Sequence, residues 1–275
     1  MTLDTLFQNQ QNLPTAPKVV DELISSFDNM AVSVDEIAKK LATDPVLSAK
    51  LLRLANSAYY HVSRSIGTVD DAVMMLGFVS VRTLVISAGL VSGFKTVKGL
   101  DLKQFWRYSL HTAVAAKWIA KDVRENTELA FTIGMMHAIG QLVMHAAMPE
   151  QALDIDRQAA PLSGERLVAE KDALGFDFAD AGAELALRWK FPEVFSDTIR
   201  AFPDPLACAP PSRMGAVIHL AAWRARIEEN KPDKDEIDAS YPVAVAASLG
   251  LAPRLLLDTM PAPAELAAGL DELVN

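Results

Sequence analysis

The chain has 275 residues, 51% of them hydrophobic and 22% charged, with a formal net charge of −9. At roughly 150 residues per domain this allows one or two domains, each with a core that needs no disulfide or metal staple. So apolar a chain is not disordered. With 26 basic against 35 acidic residues, it repels phosphate, which argues against nucleic acid and an anionic membrane surface as partners.

The single Cys208 cannot form an intrachain disulfide and reads as a small buried or half-buried residue. The start, Met1-Thr2-Leu3-Asp4, lacks the basic and apolar regions of a signal peptide. The most apolar long stretch, Thr132 to Met148, falls short of the roughly 20 residues that span a bilayer and contains His137, Gln141 and His145. The expected location is the cytoplasm.

In chain order the punctuation is helical. Pro17 opens a helix whose apolar face is Val19, Val20, Leu23, Ile24 and Phe27. Ser33 with Glu36 is a capping box ahead of Ile37, Ala38 and Leu41. Asp44-Pro45 pairs an N-cap with proline at the first helical position, and Val46, Leu47, Leu51, Leu52 and Leu54 follow. Thr68 and Asp71 repeat the cap before Ala72, Val73, Leu76 and a Gly77 stop. The β-branched run from Val79 to Val91 has strand propensity but no period of two, so it reads as helix.

Two long helices are expected at Leu102 to Val123 and Thr127 to Met148, with Pro149 as a stop. Shorter ones are expected at Ser163–Leu174, Phe178–Trp189, Pro192–Ala201 and Ser212–Glu229. The proline-dense stretch from Phe202 to Pro211 and the charged run from Glu228 to Asp238 read as surface loops. No strand–turn–strand pattern and no internal repeat is evident. The fold class is all-α.

The histidines stand at 61, 111, 137, 145 and 219. His111 and His137 fall on successive long helices and could begin a metal site, but no Asp or Glu lies within a turn of His137. His137 and His145 are eight residues apart, ~12 Å along a helix, too far for one ion. On residues alone they read as satisfied or packing histidines. Gly134 and Gly140 suggest close backbone approach, and the methionine pairs at 74–75 and 135–136 read as core filler. Trp106, Trp118, Trp189 and Trp223 read as core anchors. Asn56 is either a C-cap or part of a recognition edge with Ser57, Tyr59 and Tyr60.

Several of these segments together resemble the HDOD family, relatives of the HD-domain phosphohydrolases. They include Leu13-Pro14 with Pro17, Asp44-Pro45 with Leu47, and Lys50-Leu51-Leu52-Arg53-Leu54-Ala55-Asn56-Ser57. Ile66, Asp71-Ala72-Val73, Leu76-Gly77 and Phe105-Trp106 with Ser109 follow in order. Ala130 to Gly140, then Gly182-Ala183 to Trp189 and Pro192, complete the match. The resemblance implies a compact multi-helix HD-like domain over residues 12–205, with residues 206–275 as a helical extension packed on it.

It also implies where a metal would sit. His111 would stand at the first HD ligand and His137 at the second, while Ala138 replaces the aspartate of the pair. Ala222, after Leu220-Ala221, would replace the last aspartate. Histidines of the cyclic di-GMP phosphodiesterase branch would fall near Phe178 and at Ala201-Phe202, and are absent. A hydrolytic metal needs its charge balanced and must acidify a bound water, which two neutral imidazoles do poorly. The expectation is a non-catalytic bacterial signal-transduction module without cofactor or metal. It would act through contacts with other signalling proteins, among them components of the cyclic di-GMP pathway. The alternatives are a metal-dependent phosphohydrolase and a cyclic-dinucleotide-binding sensor.

Overall fold

The computed structural model describes residues 3–8, 18–25, 34–42, 44–94 and 96–274. Pro17, Phe27 and Ser33, with the Leu13-Pro14 motif, lie outside the described residues. The described chain is helical throughout and contains no strand. Its first half holds α1 (Leu3–Gln8), α2 (Lys18–Ser25), α3 (Val34–Ala42), α4 (Pro45–Ala55), α5 (Val69–Leu76) and α6 (Phe78–Gly93). The centre is α7 (Leu102–Asp122), α8 (Thr127–Met136), α9 (Ile139–Ala147) and α10 (Pro149–Asp156). There follow α11 (Arg166–Leu174), α12 (Phe178–Arg188), α13 (Glu193–Ala201) and α14 (Arg213–Asn230). Short helices close the chain: α15 (Lys234–Ser240), α16 (Val243–Ser248), α17 (Leu255–Asp258) and α18 (Pro263–Leu266).

Local chemistry starts most of these helices. The Asp44 carboxylate accepts from the backbone N–H groups of Val46 and Leu47, with Pro45 supplying the first helical residue. Thr68, Asp101, Asn126 and Ser212 cap α5, α7, α8 and α14 in the same way. Asp177 and Asp180 form a reciprocal capping box on α12. The β-branched run is helical as α6, buried continuously from Thr83 to Leu90, so no polar face is needed.

The core is organised around α7, which packs against α8 and α14, while α12 packs against α9 and α13. The residues after 205 therefore complete this core, since α14 buries Val217, Ile218, Leu220 and Ala221 in it. Trp106 and Trp223 are buried anchors, whereas Trp118 and Trp189 are half-buried at its edge. The stretch Thr127–Ala147 is apolar enough to cross a membrane by length and composition, but 89% of its most apolar window is buried in the fold.

Three expectations need correction. The helix expected from Thr127 to Met148 breaks at His137 and Ala138, where Ala138 adopts φ −105° and ψ 7°. The cause is Gly140: a Cβ there would collide with the Phe178 carbonyl oxygen and come within 2.7 Å of the Gly182 nitrogen. Pro149 stops the helix before it as expected, and also opens α10. Met135 and Met136 are buried, but Met74 and Met75 are 75% and 36% exposed, because α5 turns that side away from the core. Finally, Phe202 in the proline-dense stretch is buried, drawn in by aromatic neighbours.

Gly140→Ala should cost about 3 kcal/mol or more, because backbone rather than a flexible side chain would have to move. Gly67→Ala, with nothing within 4 Å of the added carbon, should stay within about 0.5 kcal/mol of the parent. Urea unfolding of the two variants compares them directly.

Candidate functional site

The break between α8 and α9 carries the centre of the candidate site. His137 is 1% exposed, and its Nδ1–H donates to the Gly134 carbonyl at 2.7 Å. That fixes the tautomer and leaves Nε2 as a buried acceptor with no partner. The ring is clasped edge-on by Tyr108, 5.1 Å between centroids, and by Phe202 at 5.5 Å. Burial, with a smaller contribution from Arg226, pushes its pKa down to about 4 despite the Gly134 bond. At neutral pH it is an uncharged imidazole.

His111 has a different environment. Its Nδ1 stands 3.0 Å from the Glu229 carboxylate, off the line of the ring N–H, so the contact is chiefly electrostatic. Arg107 grips the same carboxylate from the other side at 2.6 Å, and the Glu229 side chain is 2% exposed. Burial pushes Glu229 up, but His111 and Arg107 outweigh it and hold the carboxyl at about 2. The Glu229 side chain, near the start of the charged run, is therefore buried, and His111 is placed against a carboxylate. Glu229 lies 118 residues from His111, so no local spacing marks it.

A second charged network lies beside α9. His145 has both ring nitrogens on acceptors, Nδ1 on the Gln141 carbonyl at 2.7 Å and Nε2 on Asp156 at 3.0 Å. Asp156 in turn pairs with Arg166, whose Nε donates to Glu170 at 2.6 Å. Glu170 ends the network by accepting from the Phe178 backbone N–H at 2.7 Å. Arg166 and Glu170 are both 0% exposed. The network anchors α10 and α11 to the start of α12, and sequence reading missed it.

Between these networks is a cavity of about 130 Å³ beside Ala222. Its walls include Tyr108, Gln141, Phe178, Phe202, His219 and Arg226. Ala138 is fully buried at the turn and Ala222 is 2% exposed on the cavity wall, its carbonyl 3.5 Å from the Tyr108 hydroxyl. Neither alanine carries a donor atom. Among the described residues no group of three or more His, Cys, Asp or Glu is placed to hold a metal ion. The residues at the positions implied by the HD resemblance do not fit one.

At the candidate recognition edge Asn56 is exposed, while Ser57, Tyr59 and Tyr60 are half-buried. Asn56 caps α4 and ties down the following loop, donating to the Leu52 and Ile66 carbonyls and accepting from Ile66 N–H at 2.7 Å. Ser57 has a buried hydroxyl without a partner. Tyr59 and Tyr60 pack edge-on at 4.9 Å and are half-buried, with Lys117 over the Tyr59 ring. The two tyrosines stay together beside Lys117 and Glu128, while Asn56 is taken up by backbone.

The HDOD domain family profile matches residues 13–205. The chain belongs to the HDOD family. A candidate phosphohydrolase from Shewanella amazonensis SB2B has a similar crystal structure, with TM-score 0.77 and 32% identity over 98% of this chain and 96% of that one. An HDOD domain protein of unknown function from Geobacter sulfurreducens matches with TM-score 0.70 and 25% identity, covering 99% and 95%. An uncharacterized Treponema pallidum protein is 26% identical over 191 residues, 69% of this chain but 37% of its own length.

Two outcomes follow from the charged networks. A carboxyl held below its usual value contributes stability that is present above about pH 4.5 and lost as the pH falls toward about 2. Glu229→Gln should therefore lower stability at neutral pH and flatten its decline across that window, followed by circular dichroism during acid titration. Glu170→Leu leaves Arg166 without one buried partner and should cost about 3–5 kcal/mol. Adding Arg166→Met should recover part of that loss in urea unfolding.

Proposed function

We propose that this HDOD protein is a non-catalytic regulatory module of bacterial signal transduction, working in the cytoplasm through contacts with other signalling proteins. Components of a cyclic di-GMP pathway are the partners to try first. The observation that carries this reading is alanine at both positions where an HD enzyme needs aspartate, Ala138 and Ala222. A hydrolytic divalent cation needs carboxylate to balance its charge. Here His137 keeps a free Nε2, but among the described residues no set of three or more His, Cys, Asp or Glu is placed to hold an ion, and His111 is drawn to Glu229. The fold meanwhile keeps a rigid helical core, the property a contact scaffold needs.

The second reading, a metal-dependent phosphohydrolase, is favoured by the 32% identity to the Shewanella candidate phosphohydrolase. Purified full chain, supplied with Mn²⁺ and either bis(4-nitrophenyl) phosphate or cyclic di-GMP, separates the two. The expected outcome is no release above a protein-free control, with substoichiometric metal by elemental analysis. Metal-dependent cleavage that is lost in His137→Ala would overturn the proposal.

A further inference from the structure

The cavity beside Ala222 has polar features that packing does not explain. Gln141 stands on its wall, 2% exposed, with its Oε1 buried and no partner. Arg226 lies half-buried on the same wall, and among the described residues no carboxylate pairs with it. It is the only formal charge among the described lining residues. The His219 Nδ1–H donates to the Phe202 carbonyl at 2.9 Å, which leaves its Nε2 available as an acceptor.

The size of the cavity narrows the occupant. Its 130 Å³ is close to the roughly 150 Å³ apolar cavity that admits a benzene ring, and Tyr108, Phe178 and Phe202 supply flat walls. It adjoins an outer groove of about 480 Å³ that shares Gly164, His219 and Arg226 with it. Glu236 lies on that outer groove, so an anionic group is favoured at Arg226 and disfavoured further out.

We propose that this cavity is a binding site for a small organic anion. The ligand is a single flat ring bearing a carboxylate or phosphate for Arg226. The inner chamber takes the ring, the guanidinium takes the charge, and the outer groove accommodates any further substituent. The site does not depend on the contact role proposed above, and it needs no metal.

The test is isothermal titration calorimetry of the full chain near neutral pH. The probes are 4-hydroxybenzoate for the carboxylate form and uridine 5′-monophosphate for the phosphate form, with phenol and inorganic phosphate as partial ligands. Saturable binding of one ring-bearing anion is expected, tighter than either partial ligand. Arg226→Ala should weaken it about tenfold or more, the loss of one charge-assisted hydrogen bond. Ala222→Leu, which fills the chamber, should abolish it without lowering the thermal midpoint. Arg226→Ala decides alone where Ala222→Leu does not fold, because that side chain is half-buried and has no ion pair to break. Failure of both ring anions to bind, equal binding of inorganic phosphate, or affinity unchanged in Arg226→Ala would overturn the proposal.

Discussion

Where α9 meets α12, backbone lies against backbone. Gly140 faces the Phe178 carbonyl and the Gly182 nitrogen with no room for a side chain. A helix held that closely cannot continue the line of α8, so the chain turns at His137 and Ala138. The turn decides what the interior contains. It puts the His137 ring between Tyr108 and Phe202, and it brings Phe178 to the wall of the cavity. Gly134 plays the matching part on the other side, where a Cβ would come within 2.6 Å of the Ala113 Cα. Two glycines therefore set the spacing of four helices, α7 against α8 and α9 against α12, around one histidine.

Buried charge braces this arrangement. Taking an ion from water is costly unless its partners are close and its hydrogen bonds are made. The run from His145 through Asp156 and Arg166 to Glu170 meets that demand and ends on the Phe178 N–H. Phe178 is thus held on both sides, by Glu170 at its nitrogen and by Gly140 at its carbonyl. The Arg107–Glu229–His111 cluster ties the end of α14 to α7 across the molecule. Walls fixed in this way relax only partly around a missing side chain, which is how a small cavity survives in a packed core.

What could be read from the sequence was local. Asp44, Thr68 and Ser212 announce their helices because a cap acts within three residues of itself. The apolar stripes and the all-α class follow from the same short-range periodicity. The break at His137 was not legible, because its cause is Phe178, far along the chain; Gly140 signalled a close approach but not a bend. The carboxylate beside His111 was missed for the same reason, since Glu229 belongs to a run that looks solvated. Met74 and Met75 resemble Met135 and Met136 in sequence and differ only in which way their helices face. At the site, the residues absent were readable and the cavity they left was not.

Ala138 and Ala222 stand for the same chemical loss but have different consequences. At the turn Ala138 is sealed by its neighbours, so nothing replaces the carboxylate that the HD resemblance implies there. On α14 Ala222 borders open volume, and one helical turn later Arg226 faces the same space. Beside a bound metal ion an uncompensated guanidinium would be a like charge, weakening the site it adjoins. With the acids gone it has the opposite effect. The cavity is then lined by one imidazole, aromatic rings and one cation, so its field attracts anions. The alanines at the positions that the HD resemblance gives to metal ligands and the arginine that favours an anion act in the same direction.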